Sequence, residues 1–161
     1  MEISNFLYVL ETDDFAKKYR PIFLFSNEVP AAVEENRIYI IHSAKREESS
    51  RGPVYGHFMT VDTIKTGKMS HCKKAVFFDS YGRSMKHLAL IKKMQKTGFN
   101  VEFNHKRYQW NNQNCAYFSI YFLLLRSRKH SLKTISKGKF GCTKHSWNAI
   151  RPMIENLLPK L

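Results

Sequence analysis

The feature that most constrains this chain is its longest apolar run, from Cys115 to Leu125 (CAYFSIYFLLL), entered from the polar segment Asn111-Asn112-Gln113-Asn114. A membrane-spanning helix needs about 20 apolar residues, and this run has 11. It therefore reads as a buried helix, reaching to about Arg128, with Asn114 as a good N-cap. Cys115 is then the first residue of the helix. Twelve Phe, eight Tyr and two Trp among 161 residues supply bulk for one core and exclude a disordered linker. The opening MEISNFLYVLETDD has early acids and neither a basic n-region nor a small-residue cleavage site. The expectation is a protein that is neither secreted by the standard route nor embedded in a membrane.

Phe6, Leu7, Leu10 and Phe15 are spaced for one face of a helix over residues 5–19, which Arg20-Pro21 breaks. Strands are expected at Ile22–Phe25, Asn36–His42, Val54–Asp62, Lys74–Asp79 and Asn100–Asn104. Residues 44–52 read as a charged loop and 63–73 as a hairpin tip. A basic amphipathic helix is expected over Ser84–Thr97, stopped by Gly98, and a final helix over His145–Leu158, with a polar loop at 129–141. This order predicts a single α+β domain over residues 1–161.

A reactive thiol needs its pKa lowered, by a helix N-terminus, by a nearby imidazolium, or by both. Cys115 has the first device. Cys72 and Cys142 lack a comparable setting, and the three cysteines show no CxxC or Cys/His ligand spacing, so neither a metal site nor a disulfide framework is expected. His57 lies in one expected strand and Asp79 ends its neighbour, so Asp79 can orient the imidazole while the other ring nitrogen faces the thiol. Should Asp79 fail in that role, Asp62 is the next candidate. Gln109, six residues before Cys115, can swing its amide beside the Cys115 N–H to cradle an oxyanion. Taken singly, each has a plainer reading: a structural cysteine, a core histidine, a strand-end Asx turn, a polar loop residue. The order His–Asp–Gln–Cys, each in a suitable element, is far more specific.

Charge is lopsided. Residues 1–79 hold 11 basic and 11 acidic side chains, whereas residues 80–161 hold 16 basic and 2 acidic ones and so carry the whole net +14. Lys86, Lys92, Lys93 and Lys96 form one basic group, and Arg126, Arg128, Lys129, Lys133, Lys137 and Lys139 another. Such a surface suits a polyanion, nucleic acid being the commonest, bound through phosphates without sequence preference. The plainer reading is a solvated basic face that aids solubility.

Three blocks, GHF at 56–58, FFDSYG at 77–82 and YQWNNQNCAYFSIYFL at 108–123, resemble the signature blocks of adenovirus-type (adenain-like) cysteine proteases, relatives of the ubiquitin-like-protein proteases. FLFSNEVP at 23–30 and NRIYIIHS at 36–43 are similar to that family's segment before its histidine, so the resemblance covers about residues 19–128. It implies a papain-like fold with a mixed central sheet and the nucleophile at the N-terminus of a buried helix. It further implies His57 as base, Asp79 as acid, Gln109 as oxyanion donor and Cys115 as nucleophile. The chain departs from the pattern at Phe58, where Trp is usual, and at Ala116, where Gly is usual.

The implied activity is a monomeric endopeptidase that cleaves viral structural precursors during virion maturation, in the virion and host nucleus. It would need no cofactor, with activation by DNA or a viral peptide as in the family. GFNVEFNHKRY at 98–108 lacks the cysteine that would link such a peptide covalently. Two alternatives stand beside it: a deconjugating protease for ubiquitin-like modifiers, and a catalytically weak DNA-binding virion protein on the same scaffold.

Overall fold

In a computed structural model, the residues described are 3–29, 33–43, 56–65, 73–82, 88–105, 107–108, 115–137 and 150–158. The first helix, α1 (Ile3–Thr12), buries Phe6, Val9 and Leu10 at three- and four-residue spacing. It does not run on to residue 19. The Asp13 carboxylate accepts the backbone N–H groups of Phe15 (3.1 Å) and Ala16 (2.9 Å) and starts a separate 3₁₀ turn, Ala16–Tyr19.

Five strands follow: β1 (Ile22–Phe25), β2 (Ile38–His42), β3 (Phe58–Asp62), β4 (Lys74–Phe78) and β5 (Asn100–Phe103). They form one mixed sheet in sequence order. The two outer pairs, β1–β2 and β4–β5, are parallel, and β2–β3 and β3–β4 are antiparallel. Every residue of β2 and β3 is buried, as expected where both sheet faces are covered. The expected strand Ile22–Phe25 matches β1, and the other four run longer than the observed ones: Gly56, His57 and Asp79 fall just beyond β3 and β4. Of the expected hairpin tip, residues 66–72 lie outside the described residues, as do the 44–52 loop and residues 54–55.

Alternation within the strands divides the core. Ile38, Ile40, Phe58, Val76 and Phe78 face one layer, shared with α1 and α3 (Cys115–Ser127). Tyr39, Ile41, Met59, Val61, Ala75 and Phe77 face the other, where α2 (Leu88–Lys96) contributes Ile91 and Met94. Gly98, at φ 92°, ends α2 in the left-handed conformation that favours glycine. Almost every residue of α3 is buried, and Phe122 stacks on Phe78 with centroids 4.1 Å apart and planes 7° off parallel. Each such fully buried Phe contributes about 1.5–3 kcal/mol through burial.

Two outcomes revise the C-terminal third. The expected loop at 129–141 contains a short helix, α4 (Leu132–Lys137), whose N-cap Ser131 accepts the Thr134 N–H through Oγ. Residues 150–155 form the last helical stretch, α5, which sends Ile150 and Ile154 into the α1–α3 layer. The expected start of that helix, residues 145–149, lies outside the described residues. The architecture is α+β, and its consequence for chemistry is local. The start of β3, the end of β4 and the N-terminus of α3 converge at one end of the sheet.

Candidate active site

The antiparallel register sets Thr60 opposite Phe78 and Val61 opposite Phe77. Asp79, one residue beyond β4, is thereby carried to the start of β3, where His57 sits. His57 Nε2 lies 2.5 Å from Asp79 Oδ1. The Asp79 side chain is 1% exposed and that of His57 17%. With Nε2 engaged, Nδ1 is the nitrogen left for the Cys115 thiol, which hydrogen-bonds the imidazole from the first position of α3. Cys115 is a free thiol, 7% exposed.

Electrostatics push this pair toward an ion pair. Burial works to lower the His57 pKa, but the Asp79 hydrogen bond, the Cys115 hydrogen bond and both their charges outweigh it and raise it to about 9. For Cys115, burial works to raise the pKa. Against it act the His57 hydrogen bond, the backbone N–H of Phe58, the imidazolium charge and the N–H of Ala116, which together hold the thiol below its ordinary value. Two main-chain donors therefore aim at the sulfur, one from the helix N-terminus and one from the residue after the histidine. A lowered thiol beside a raised imidazole favours the thiolate–imidazolium form of the pair over the neutral one.

Side chains that sequence reasoning missed hold both partners. Ser43, just past β2, accepts the His57 N–H through Oγ (2.8 Å), and its own N–H donates to the His57 carbonyl (2.9 Å). Asn104, just past β5, does the same for Asp79. Its Oδ1 accepts the Asp79 N–H (3.0 Å) and its Nδ2 donates to the Asp79 carbonyl (2.6 Å). Asp79 Oδ1 also accepts the Tyr81 N–H at 2.9 Å, so the Asx turn expected as the plain reading coexists with the imidazole contact. The Tyr81 ring lies 4.6 Å from the His57 ring, and the Arg107 guanidinium sits 5.4 Å above Tyr81 on a partly exposed wall. A polar residue one step past each neighbouring strand was the available signal for Ser43 and Asn104.

Gly56 owes its place to a neighbour. A Cβ there would come within 2.1 Å of His42 Cε1. His42 is buried, with the rings of Phe23, Phe25 and Phe58 packed around it. The close approach lets the chain turn into β3 with His57 correctly placed.

Gln109 lies outside the described residues. Its predecessor Tyr108 is buried, and its N–H donates to the Ser80 carbonyl at 2.7 Å, next to Asp79.

Asp62, the fallback orienter, is not near the imidazole. It closes the opposite end of β3 and binds Arg126 through Nε (3.0 Å to Oδ2) and Nη2 (2.8 Å to Oδ1). That pair also corrects the basic-face assignment of Arg126, which is buried, with Nη1 donating to the His130 carbonyl. The physical reason is its place on the stripe Cys115–Ser119–Phe122–Arg126, the side of α3 turned to the core. Of the other basic residues, Lys92, Lys96 and Lys133 are exposed, while Lys93 Nζ binds the Val29 carbonyl at 2.5 Å. Arg128 pairs with Asp13 (2.8 Å) and covers Phe15, and Lys129 donates to the Lys65 carbonyl (2.8 Å); both stay exposed. Lys137 ends α4, and Lys86 and Lys139 lie outside the described residues, as do Cys72 and Cys142.

Among the described residues no helix is long and apolar enough to cross a membrane, and no cluster of three or more His, Cys, Asp or Glu could hold a metal ion. No protein-family model matches the chain, and no curated protein matches it. Among solved structures the chain is similar to the central domain of the uncharacterized Lpg1148 protein from Legionella pneumophila. The match covers 98% of each chain, with 9% identity and a TM-score of 0.45, a likeness too distant to carry an argument about fold or activity.

Proposed function

We propose that the chain is a cysteine endopeptidase with a papain-like, adenain-like fold, acting through Cys115 and His57. The observation that carries this reading is the Cys115–His57–Asp79 line: a buried thiol on a helix N-terminus, hydrogen-bonded to an imidazole whose other nitrogen meets a buried carboxylate. A structural cysteine would need none of these partners.

The thiolate attacks the scissile carbonyl carbon and forms a C–S bond, and its oxyanion takes the Cys115 N–H and, by the resemblance, the Gln109 amide. Collapse breaks the C–N bond, and His57 gives its proton to the departing amine. Water then attacks the thioester carbonyl while His57 takes its proton; the C–S bond breaks, releasing the acid and restoring the thiolate–imidazolium pair. Asp79 keeps Nε2 engaged throughout, so that Nδ1 faces the chemistry.

For substrates, the resemblance supports precursors of viral structural proteins, cut after small residues such as Gly, in the virion and host nucleus. The exposed Lys92, Lys96 and Lys133 support a non-specific nucleic-acid partner. The test is to incubate wild type and Cys115→Ala with a peptide library and sequence the products, with a ubiquitin vinyl-sulfone probe in parallel. Cleavage of peptides by wild type alone is expected. Labelling by the probe without peptide cleavage would assign a deconjugating enzyme instead, and neither reaction would overturn the hydrolase reading.

A further inference from the structure

We infer that the buried Asp62–Arg126 pair is a positioning device for the cysteine–histidine pair, fixing how far α3 is advanced along β3. The inference rests on the reading of Cys115 and His57 as reactive partners.

The two elements start at the same place. His57 leads directly into β3, and Cys115 opens α3. They end together as well: Asp62 is the last residue of β3, and Arg126 lies in the last turn of α3. From Cys115 to Arg126 the helix rises about 16 Å, and from Phe58 to Asp62 the strand covers about 13 Å. Alternation turns Phe58, Thr60 and Asp62 to the same sheet face, and Cys115, Ser119, Phe122 and Arg126 form one stripe of the helix.

Between the two ends, the Phe122–Phe78 stack ties α3 to β4 and not to β3. Toward β3, Phe58, Ile120 and Leu123 share the apolar layer, whose contacts are non-directional. Among the described residues, the buried hydroxyls of Thr60 and Ser119 have no hydrogen-bond partner, so they do not key the helix to the strand.

The far end is different. The Asp62 carboxylate accepts Arg126 Nε and Nη2 in a fork, and its Oδ1 also accepts the Ile64 N–H at 3.2 Å. Arg126 Nη1 reaches the His130 carbonyl at 2.9 Å. Among the described residues it is the only ion pair joining β3 to α3. Paired planar groups fix both distance and direction. A helix of this length moves as a rigid body, so a shift at Arg126 is carried to Cys115. A shift of a few tenths of an ångström is enough to lengthen the contacts of the sulfur with the imidazole and the Phe58 N–H.

The opposing expectation is that the pair only stabilises the fold. Replacing a buried ion pair by apolar side chains of similar volume commonly leaves stability unchanged or higher, which separates the two roles. The experiment measures iodoacetamide alkylation of Cys115 against pH, by mass spectrometry, in wild type, Asp62→Leu/Arg126→Met and Arg126→Lys, with thermal unfolding recorded alongside. The expected result is a double variant that folds but reacts about tenfold more slowly below neutral pH, its rate profile displaced toward that of an ordinary thiol. Arg126→Lys, which keeps the charge but loses the fork, should show a smaller displacement in the same direction. If the double variant does not fold, Arg126→Lys alone decides. A folded variant with an unchanged profile overturns the positioning role while leaving the proposed function intact. A wild-type profile that is already that of an ordinary thiol overturns both.

Discussion

Asp79 and Asp62 are both almost wholly buried; Asp62 is the last residue of β3, and Asp79 is the first residue past the neighbouring β4. Because β3 and β4 run antiparallel, the two carboxylates sit at opposite ends of the sheet. Asp79 faces an imidazole, whose charge changes with pH, here at about 9. Asp62 faces a guanidinium, whose charge does not. On the proposed reading, one acid tunes a proton transfer and the other anchors an element. Burial and residue type are the same at both places, so the partner across the contact decides which role an aspartate takes.

The largest expected effects lie at the Asp79 end. Cys115→Ala and His57→Ala should each lower peptide hydrolysis by about 10⁴-fold or more, since groups that act as a unit fail together. Thermal unfolding of Cys115→Ala should stay close to wild type, and His57→Ala, which strips the buried Asp79 carboxylate of its partner, should remain folded with a lowered midpoint. A variant that lost activity only by unfolding would put His57 in the same class as Asp62.

Exchanging each acid for its amide tests the contrast directly. Asp62→Asn leaves the buried Arg126 charge uncompensated and should cost about 3–5 kcal/mol, read as a lowered denaturant midpoint. Asp79→Asn should instead cost about 10²-fold in kcat/KM with a much smaller change in midpoint. Equal patterns in the two variants would break the comparison.

Asn104→Ala sharpens it further. Losing both hydrogen bonds to the Asp79 main chain loosens the carboxylate without removing it, and the expected cost is about tenfold in kcat/KM. Ser43→Ala, which removes one acceptor beside His57, should cost less.

The smallest effect concerns charge. Lys92→Gln/Lys96→Gln should reduce duplex binding measured by fluorescence anisotropy and flatten its log-salt slope by about 0.9 for each phosphate no longer neutralised. Binding that is absent even at low salt would leave the basic half as surface decoration.

Much of this site was legible in the residues. The polar-to-apolar step at Asn114–Cys115 located the helix start, and the β-rich runs around His57 and Asp79 located neighbouring strands. Arg126 was misjudged because a charge count treats every arginine as surface. Its spacing from Cys115, at i+11 on the 115–119–122–126 stripe, already pointed inward. The helix Leu132–Lys137 was hidden by its lysine and serine content, although Ser131 is a good cap and Leu132 and Ile135 share a face. Ser43 and Asn104 act across strands, through a pairing register that local patterning does not specify.

The central claim, a thiolate–imidazolium pair held by Asp79, is tested most directly by the ultraviolet absorbance of the thiolate as a function of pH, taken as the difference between wild type and Cys115→Ala. Above the lowered cysteine pKa the sulfur is charged while His57 stays protonated up to about 9. The account predicts that thiolate absorbance appears below the ordinary thiol value of 9.0, with a second, smaller change near pH 9 as the imidazolium loses its proton. In His57→Ala the low-pH step should move upward toward that ordinary value. A single step at 9.0 or above in wild type, unmoved by His57→Ala, would contradict the account.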